Sequence, residues 1–519
     1  MATDKATGTR RNSRGGRPNG ATTPPRAARS RSNEIRAWEE DPGGPGAGLK
    51  PVAAGVPALG AGKLPVTIAG RAPSPDLYQP GTSDFRFWVA AEALRRGADL
   101  WSSIAPKLTW HPTVGRRLET DLDHGEDLNA YYDRQGLRFF HGRAANKTVY
   151  SGESPDVVCH ELGHAVLDAL RPQLFDANFI EVASFHESFG DMSAMLCALQ
   201  LKSVRDQVLV ETGGSLYRTS RLSRLAEQLG WAIRLVAPDA VEPDCLRNAV
   251  NSFFYKSPES LPPSGPASTL CSEPHSFSRV FTAAFLEALG GMFRLQATHD
   301  EKSLQKSSLD AAALLVDAVT ASPVVPSYYS QIAAHVIEAD ANRFGGANAP
   351  ALKQAFLSHG ILSVDSAEVV SMARPAPGPV PAGRARPGAS AAATTAAARA
   401  TRGAGGPLHF VALAGGRYGL DADLMVPAVA ETKRFGVAGA APDIGAAASP
   451  AHDRAAESFV EDLFRRGCVD VGTAGGDGVR AMAAAPSRPS KLSHEVRREN
   501  GSLVLMRRFF DCGLAAAGR

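Results

Sequence analysis

Residues 159–165 read Cys-His-Glu-Leu-Gly-His-Ala, and this stretch decides how the chain folds. In an α-helix, residues four positions apart share a face, so His160 and His164 can direct both imidazoles at one metal ion. Glu161 lies one residue further round, where its carboxylate can reach a water on that metal without being a ligand. Two nitrogen ligands, one base and an open coordination position predict a hydrolytic zinc site.

The residues around this motif favour a buried helix. The motif fixes only three residues, His, Glu and His, so it occurs by chance in on the order of one per cent of chains this long. A solvated helix would then explain it. Ser154-Pro155-Asp156 offers an N-cap hydroxyl, a proline and an acid for the helix start, and Arg171-Pro172 offers its end. The apolar positions between them are Val157, Val158, Leu162, Ala165, Val166, Leu167 and Leu170. Because buried His and Glu side chains need partners, this context favours the metal site.

A second helical segment, residues 181–199, offers the third metal ligand. Its apolar residues recur at helical spacing, which predicts a packed helix. Glu187 and Asp191 lie four residues apart on it, one turn from each other. If Glu187 is the ligand, Asp191 can accept a hydrogen bond from the other nitrogen of a zinc histidine and fix its tautomer. We therefore expect His160, His164 and Glu187 to hold one Zn²⁺ per chain.

Length and composition set broad limits on the protein. At 519 residues and 44% apolar content, the chain exceeds one ordinary domain and can bury a sizeable core. Its 56 basic and 53 acidic side chains nearly balance, so we expect no nucleic-acid partner. The six cysteines are scattered without C-x-x-C pairs, which indicates no disulfide framework. No apolar run suits a signal peptide or a membrane span, so we expect no membrane partner and a cytoplasmic location, with leaderless export left open.

Composition also divides the chain into four parts. Residues 1–62 predict a disordered arm, 63–365 the catalytic domain, 366–406 an Ala/Pro/Gly/Arg-rich linker, and 407–519 an accessory tail of unknown function, partly ordered. Within the second part we expect an α+β fold, with a β-rich N-lobe, a helical C-lobe and the metal helix near their junction. Strands are predicted at residues 64–69, 108–110, 137–140, 408–413 and 503–510, and helices at 85–104, over most of 154–362, and at 455–466.

The motif residues resemble the thermolysin-like branch of the gluzincin metallopeptidases, over roughly residues 64–362. The resemblance implies a two-lobed thermolysin-like fold. Residues 129–133, Asn-Ala-Tyr-Tyr-Asp, are similar to the edge strand of that family. There the Asn side chain and the Ala backbone, here Asn129 and Ala130, hold an extended substrate by β-augmentation. The family's hydrolase chemistry would then act on peptide or protein substrates.

Three further positions carry the resemblance downstream. Leu246-Arg247 resembles the pair whose guanidinium binds the substrate carbonyl beyond the scissile bond. His275-Ser276-Phe277-Ser278 resembles the motif whose histidine donates a hydrogen bond to the developing oxyanion. By the same resemblance, Val157 and Leu246 would line the pocket for the residue after the cut. Both are apolar, so we expect a preference for hydrophobic side chains there.

The sequence also departs from the family pattern. Phe175 lies near the place of a tyrosine that assists the histidine, so its hydroxyl is missing or comes from Tyr217 or Tyr255. Leu270 stands where the histidine's orienting acid is expected, and Glu273 is a possible substitute. The calcium-binding acids are largely absent as well: Asp156 remains, but Ala198 occupies a carboxylate position. We therefore expect calcium not to be required.

The predicted activity is a zinc-dependent metalloendopeptidase that cuts before hydrophobic residues, with Glu161 as general base and His275 at the oxyanion. One alternative is a zinc exopeptidase, which needs a group that grips a free terminus; Asp127 and Asp133 flank the substrate strand and could serve. Another alternative is a metal-stabilised binding module without turnover, which the missing tyrosine favours and the intact Glu161 disfavours. The oligomeric state and the natural substrate stay open.

Overall fold

The computed structural model describes residues 34–44, 48–51, 57–364, 366–367, 408–429, 431, 450–474 and 492–513. The chain is of mixed α/β class, and helix outweighs strand at 45% against 15%. The predicted combination of a sheet region with a mainly helical region is therefore correct at this coarse level. No helix in these ranges has both the length and the apolar character that a membrane crossing requires.

Two short strands near the N-terminus correct part of the predicted disordered arm, residues 1–62. β1 (Arg36–Trp38) pairs antiparallel with β2 (Leu49–Pro51). Ala37 of β1 packs against Phe85 and Val89 of helix α1 (Ser83–Ile104). Ala37, within a mostly polar stretch, is thus buried against α1. Residues 1–33 of the predicted arm lie outside the described residues.

A sheet of four consecutive strands follows, in the order β5-β6-β4-β3. The strand bounds are β3 (Val66–Ile68), β4 (Leu118–Asp121), β5 (Ala130–Tyr132) and β6 (Gly136–Phe139). β5 lies outside β6 and pairs with it antiparallel, whereas the β6–β4 and β4–β3 pairs are parallel. A hairpin of β7 (His141–Ala144) and β8 (Lys147–Tyr150) comes next. The predicted strand at 108–110 was wrong: that segment is irregular, and Trp110 Nε1 donates to the Pro65 carbonyl at 2.7 Å.

The remaining part of the central region is mainly helical, as predicted. Helix α2 begins where expected, because Ser154 Oγ caps it by accepting from Val157 N at 3.3 Å. The bounds are α2 (Pro155–Leu170), α3 (Gln173–Asp176), α4 (Ile180–Ala198), α5 (Lys202–Thr212), β9 (Arg224–Leu225), α6 (Glu227–Arg234), β10 (Arg247–Asn248), α7 (Pro274–Arg294), α8 (Glu301–Ala321), α9 (Tyr328–Phe344) and α10 (Ala349–Ser358).

Glycines let α2 and α4 cross closely. A Cβ atom on Gly163 of α2 would lie 2.7 Å from Ser193 Cβ of α4. A Cβ atom on Gly190 of α4 would lie 2.6 Å from ring atoms of His160. Both positions therefore require the missing side chain. The close crossing brings polar side chains of the two helices into one buried site.

The described residues of the C-terminal tail form an α/β unit. Its sheet has the order β11-β12-β15-β14-β13, and Phe459, Val460 and Leu463 of its helix are buried. The bounds are β11 (Leu408–Leu413), β12 (Leu424–Val429), helix α11 (Pro450–Arg465), β13 (Val469–Asp470), β14 (His494–Glu499), β15 (Ser502–Arg507) and β16 (Phe510–Asp511). β16 leaves this sheet and pairs with β5 at the edge of the first one. The predicted linker lies almost entirely outside the described residues.

Candidate metal centre

Three side chains from the two crossing helices meet in one buried place. His160 and His164 lie on α2, with their Nε2 atoms 3.1 Å apart. Glu187 of α4 brings Oε2 to 3.4 Å from His160 Nε2 and Oε1 to 3.7 Å from His164 Nε2. All three residues are at most 3% exposed. The structure thus brings together the three residues predicted as metal ligands.

The chemistry of these groups fits a zinc ion. His160 Nδ1 is 3.0 Å from Asp191 Oδ1, and His164 Nδ1 is 3.2 Å from His186 Nδ1. The Nδ1 atoms are therefore engaged, which leaves both Nε2 atoms turned towards Glu187. Among the described residues, Glu187 Oε2 has no well-formed hydrogen bond. Two imidazole nitrogens and one carboxylate are a donor set of catalytic zinc sites, and a cation would satisfy all three buried groups.

Glu161 lies beside the ligands and is fully buried. Neither of its carboxylate oxygens accepts a well-formed hydrogen bond within the described part of the chain. Burial raises the pKa of Glu161 to about 8, although the neighbouring His160 and the Cys512 thiol lower it. It offers an oxygen within 4.8 Å of the nitrogens of His160 and His164. A cation held at this place would favour the ionised form of Glu161, and the carboxylate could then accept a proton from a water at the metal centre.

Asp191 connects a ligand histidine to Arg247. Besides its contact with His160, it accepts two hydrogen bonds from the guanidinium, from Nε at 3.0 Å and from Nη2 at 2.7 Å. Burial alone would raise the pKa of Asp191, but Arg247 and His160 outweigh it and lower that pKa to about 2. Asp191 is therefore ionised, and it contacts the nitrogen of His160 that a metal would leave free, where it could orient the imidazole. The sequence resemblance predicted that Arg247 binds the substrate carbonyl, but it did not predict the pairing of Arg247 with Asp191.

His275, at the start of α7, faces the same place. Its Nε2 is 3.1 Å from Glu187 Oε2, and its Nδ1 is 2.8 Å from Glu273 Oε1. Burial opposes a charged imidazole, yet Glu187 and Glu273 raise the pKa of His275 well above its usual value. Glu273 thus contacts the histidine in the manner of the orienting acid that is missing at Leu270.

The two tyrosines considered as substitutes for the missing hydroxyl are engaged elsewhere, which corrects that suggestion. The Tyr217 hydroxyl donates to the Asn251 carbonyl at 2.7 Å. The Tyr255 hydroxyl donates to Glu181 Oε1 at 2.7 Å. Phe175, at the expected tyrosine position, packs edge-on against Phe510 of β16. Neither hydroxyl therefore takes the place of the missing one, whereas His275 contacts Glu187.

The predicted substrate strand, β5, lies beside the cluster and carries β16 on its free edge. Asp511 pairs with Tyr131, and the Cys512 amide donates to the Ala130 carbonyl at 3.1 Å. Asn129 is fully buried, and its Nδ2 donates to Asp511 Oδ2 at 3.3 Å. The two residues predicted to hold a substrate backbone thus hold a segment of this chain.

Val157 and Leu246 line one small cavity together with Arg247 and Cys512. The two residues assigned by resemblance to the pocket after the cut therefore lie together, and the role of that pocket stays a prediction. The two acids proposed to grip a free terminus accept hydrogen bonds from neighbouring backbone: Asp127 Oδ1 from Leu128 N, and Asp133 Oδ1 from Gln135 N and Gly136 N.

Sequence reasoning missed two groups at the centre. His186 immediately precedes Glu187, and its contact with His164 depends on the angle at which the helices cross, which no sequence pattern indicates. Phe510, Asp511 and Cys512 belong to a two-residue strand and the residue after it, too short for a periodic signal.

A second group of acids includes a residue in the first turn of α2. Asp41, Asp156 and Glu227 place carboxylate oxygens within 4.8 Å of one another. Asp41 accepts hydrogen bonds from Gly43 N and Gln228 N. Burial, together with the charges of the two aspartates, raises the pKa of Glu227 to about 9. The expectation that calcium is not required stays a prediction.

Comparison of the chain with family models, and with curated proteins, returns no match. The assignment of a function therefore depends on the geometry of the site and on the sequence resemblance.

Proposed function

We propose that the chain is a zinc-dependent endopeptidase with the two-lobed thermolysin-like architecture, cutting peptide bonds before hydrophobic residues. One observation carries the proposal furthest: an extended peptide segment lies in β-register on β5, directly beside the cluster of His160, His164 and Glu187. The same place holds Glu161, a buried carboxylate without a well-formed hydrogen bond in the described part of the chain. A purely structural zinc site has no use for such a base.

The metal would supply the electrophile. Zn²⁺ held by His160, His164 and Glu187 would polarise a water molecule and the scissile carbonyl. Glu161 accepts the proton of the attacking water and passes it to the leaving amine nitrogen. His275 donates from Nε2 to the carbonyl oxygen as negative charge develops there, and Glu273 keeps that imidazole protonated and oriented.

The remaining residues hold the substrate. β5 offers the Ala130 carbonyl and the Asn129 side chain to an extended backbone, so binding does not depend on the identity of most side chains. Arg247, fixed by Asp191, presents its guanidinium to the carbonyl beyond the cut. The apolar Val157 and Leu246 select the side chain after the cut, which gives the preference for Leu or Phe.

The proposal is tested with a peptide blocked at both ends that contains a single Leu. Prolonged incubation with the full chain should yield products cut immediately before that Leu, identified by mass spectrometry. A chelator should stop the reaction, and one equivalent of Zn²⁺ should restore it. Removal of single residues from unblocked peptides only would indicate the exopeptidase alternative, and zinc binding without any cleavage would indicate a binding module.

A further inference from the structure

The last described residues cross the cleft in the register of a substrate. The Asp511 carbonyl accepts a hydrogen bond from His275 Nε2, the group assigned to the developing oxyanion. The next amide, of Cys512, donates to the Ala130 carbonyl, and the Cys512 side chain lines the cavity of Val157 and Leu246. The Asp511–Cys512 peptide bond therefore occupies the position of the bond to be cut.

Aromatic stacking fixes the residues before this bond. Phe510 stacks on His186 with ring centroids 3.9 Å apart and on His164 at 5.3 Å. Phe509 stacks on Tyr131 of β5 at 4.7 Å. The segment thus covers one ligand histidine and one face of the substrate strand.

The C-terminal unit holds the segment from the other side. Arg508 N donates to the Ser493 carbonyl at 2.8 Å, which ties the residue before Phe509 to that unit. The unit itself is bound to the helical region by ion pairing of Arg171 with Glu431 at 2.6 Å and by a hydrogen bond of Ser272 to Asp462 at 2.5 Å. The segment is therefore presented in a fixed conformation.

We propose that residues 509–513 are an intramolecular inhibitor, presented by the C-terminal unit, that fills the substrate site of the resting protein; this rests on the proposed function. Because the segment is preorganised and tethered, a substrate in solution competes against a high effective concentration. Cys512 and Gly513 fill the leaving side of the cleft, and an added Cβ on Gly513 would lie 2.2 Å from Asn129 Oδ1. The fit of this segment is close enough to require glycine at its end.

The first test compares hydrolysis of the blocked peptide by three full-length proteins. Replacing both rings, Phe509→Ala with Phe510→Ala, should raise the rate at least about tenfold over wild type, since each lost stacking contact weakens the competitor. Phe410→Ala removes a 39% exposed ring of the same unit that makes none of the stacking contacts named above, and should leave the rate unchanged. A synthetic peptide of residues 506–513 should inhibit the double variant competitively.

The second test needs no variant. Cys512 is 2% exposed, so maleimide should label it slowly in the wild type. A saturating peptide hydroxamate, which competes for the cleft, should accelerate its labelling at least about tenfold, read by peptide mapping, through displacement of the segment. The buried Cys159 and Cys197 serve as internal controls whose labelling should not change.

The outcomes separate the two proposals. Equal cleavage by wild type and the double variant, or unchanged labelling of Cys512, would overturn the inhibitory role alone. Loss of residues 512–519 in wild type but not in Glu161→Gln would show that the segment is a substrate, which also overturns it. Failure of both wild type and double variant to cleave any peptide would overturn the proposed function and the inhibitor with it.

Discussion

The metal-ligand helices and the C-terminal segment meet in one cleft, but their contacts differ in strength. On the helix side, Asp191, Glu187 and Arg247 are buried charges that pair with one another or with histidines, and breaking such a pair costs about 3–5 kcal/mol. On the segment side, the contacts are a two-residue strand, single hydrogen bonds such as that of Asn129 to Asp511, and a few ring stacks, each stack worth about 0.5–1.5 kcal/mol beyond its buried area. We therefore expect the segment to be displaced more easily than the metal-ligand helices separate.

This difference predicts that Glu161 affects turnover and not zinc binding. In the Phe509→Ala/Phe510→Ala background, Glu161→Gln should lower peptide hydrolysis by about 10²–10⁴-fold, since the amide cannot accept the proton of water. Zinc content should stay the same. Glu499→Gln, at an exposed position, is the matched control and should change neither quantity. Undiminished hydrolysis by Glu161→Gln would remove the base from the mechanism.

The orienting role of Asp191 predicts an effect on the metal itself. Asp191→Asn loses the charge that faces both His160 and Arg247, so zinc affinity should fall by about 10–100-fold, measured by competition with a chelating dye. Asp206→Asn, an exposed helix position, should leave the affinity unchanged. Equal affinities would reduce Asp191 to a structural partner of Arg247.

The close crossing of α2 and α4 offers a steric test of the metal-ligand helices. Gly190→Ala places a methyl group 2.6 Å from the His160 ring, so the protein should lose about 1–3 kcal/mol of unfolding free energy and bind zinc more weakly. Urea unfolding measures the first effect. At Gly416 an added Cβ meets nothing within 4 Å, and Gly416→Ala should be neutral. A stable, fully zinc-loaded Gly190→Ala protein would contradict the close crossing.

The acid cluster of Asp41, Asp156 and Glu227 gives the smallest expected effect. Because the pKa of Glu227 is raised to about 9 in the folded chain, folding takes up a proton between the usual glutamate pKa and about pH 9. Stability should therefore fall as pH rises through this window. Glu227→Gln should reduce that loss by about 1 kcal/mol between pH 8 and pH 9 in urea unfolding, compared with Glu499→Gln. An unchanged pH dependence would contradict the raised pKa.

The metal-ligand helices could be predicted because the signals for them lie close together in the sequence. The spacing of His160 and His164, and of Glu187 and Asp191, specifies shared helix faces, and the cap at Ser154 specifies the start of α2. Helices this apolar leave little choice of which face is buried. The contact of Glu273 with His275 could also be anticipated, since the two residues lie two positions apart in the sequence.

The segment side could not be predicted, because it depends on contacts between distant residues. The hydrogen bond from Asn129 to Asp511 joins residues 382 positions apart. A strand as short as β16 has no periodicity of its own, and its pairing with β5 is decided by the C-terminal unit that presents it. The same limitation applies to β1, whose burial depends on α1.

The most direct measurement of the central claim is the zinc content of the purified full chain by elemental analysis, beside Glu187→Ala and Glu161→Gln. The account predicts one zinc per chain in the wild type and in Glu161→Gln, and little in Glu187→Ala, which loses the only predicted carboxylate ligand. A wild-type protein without zinc, or a Glu187→Ala protein that holds it as tightly, would contradict the metal centre on which the proposed hydrolysis depends.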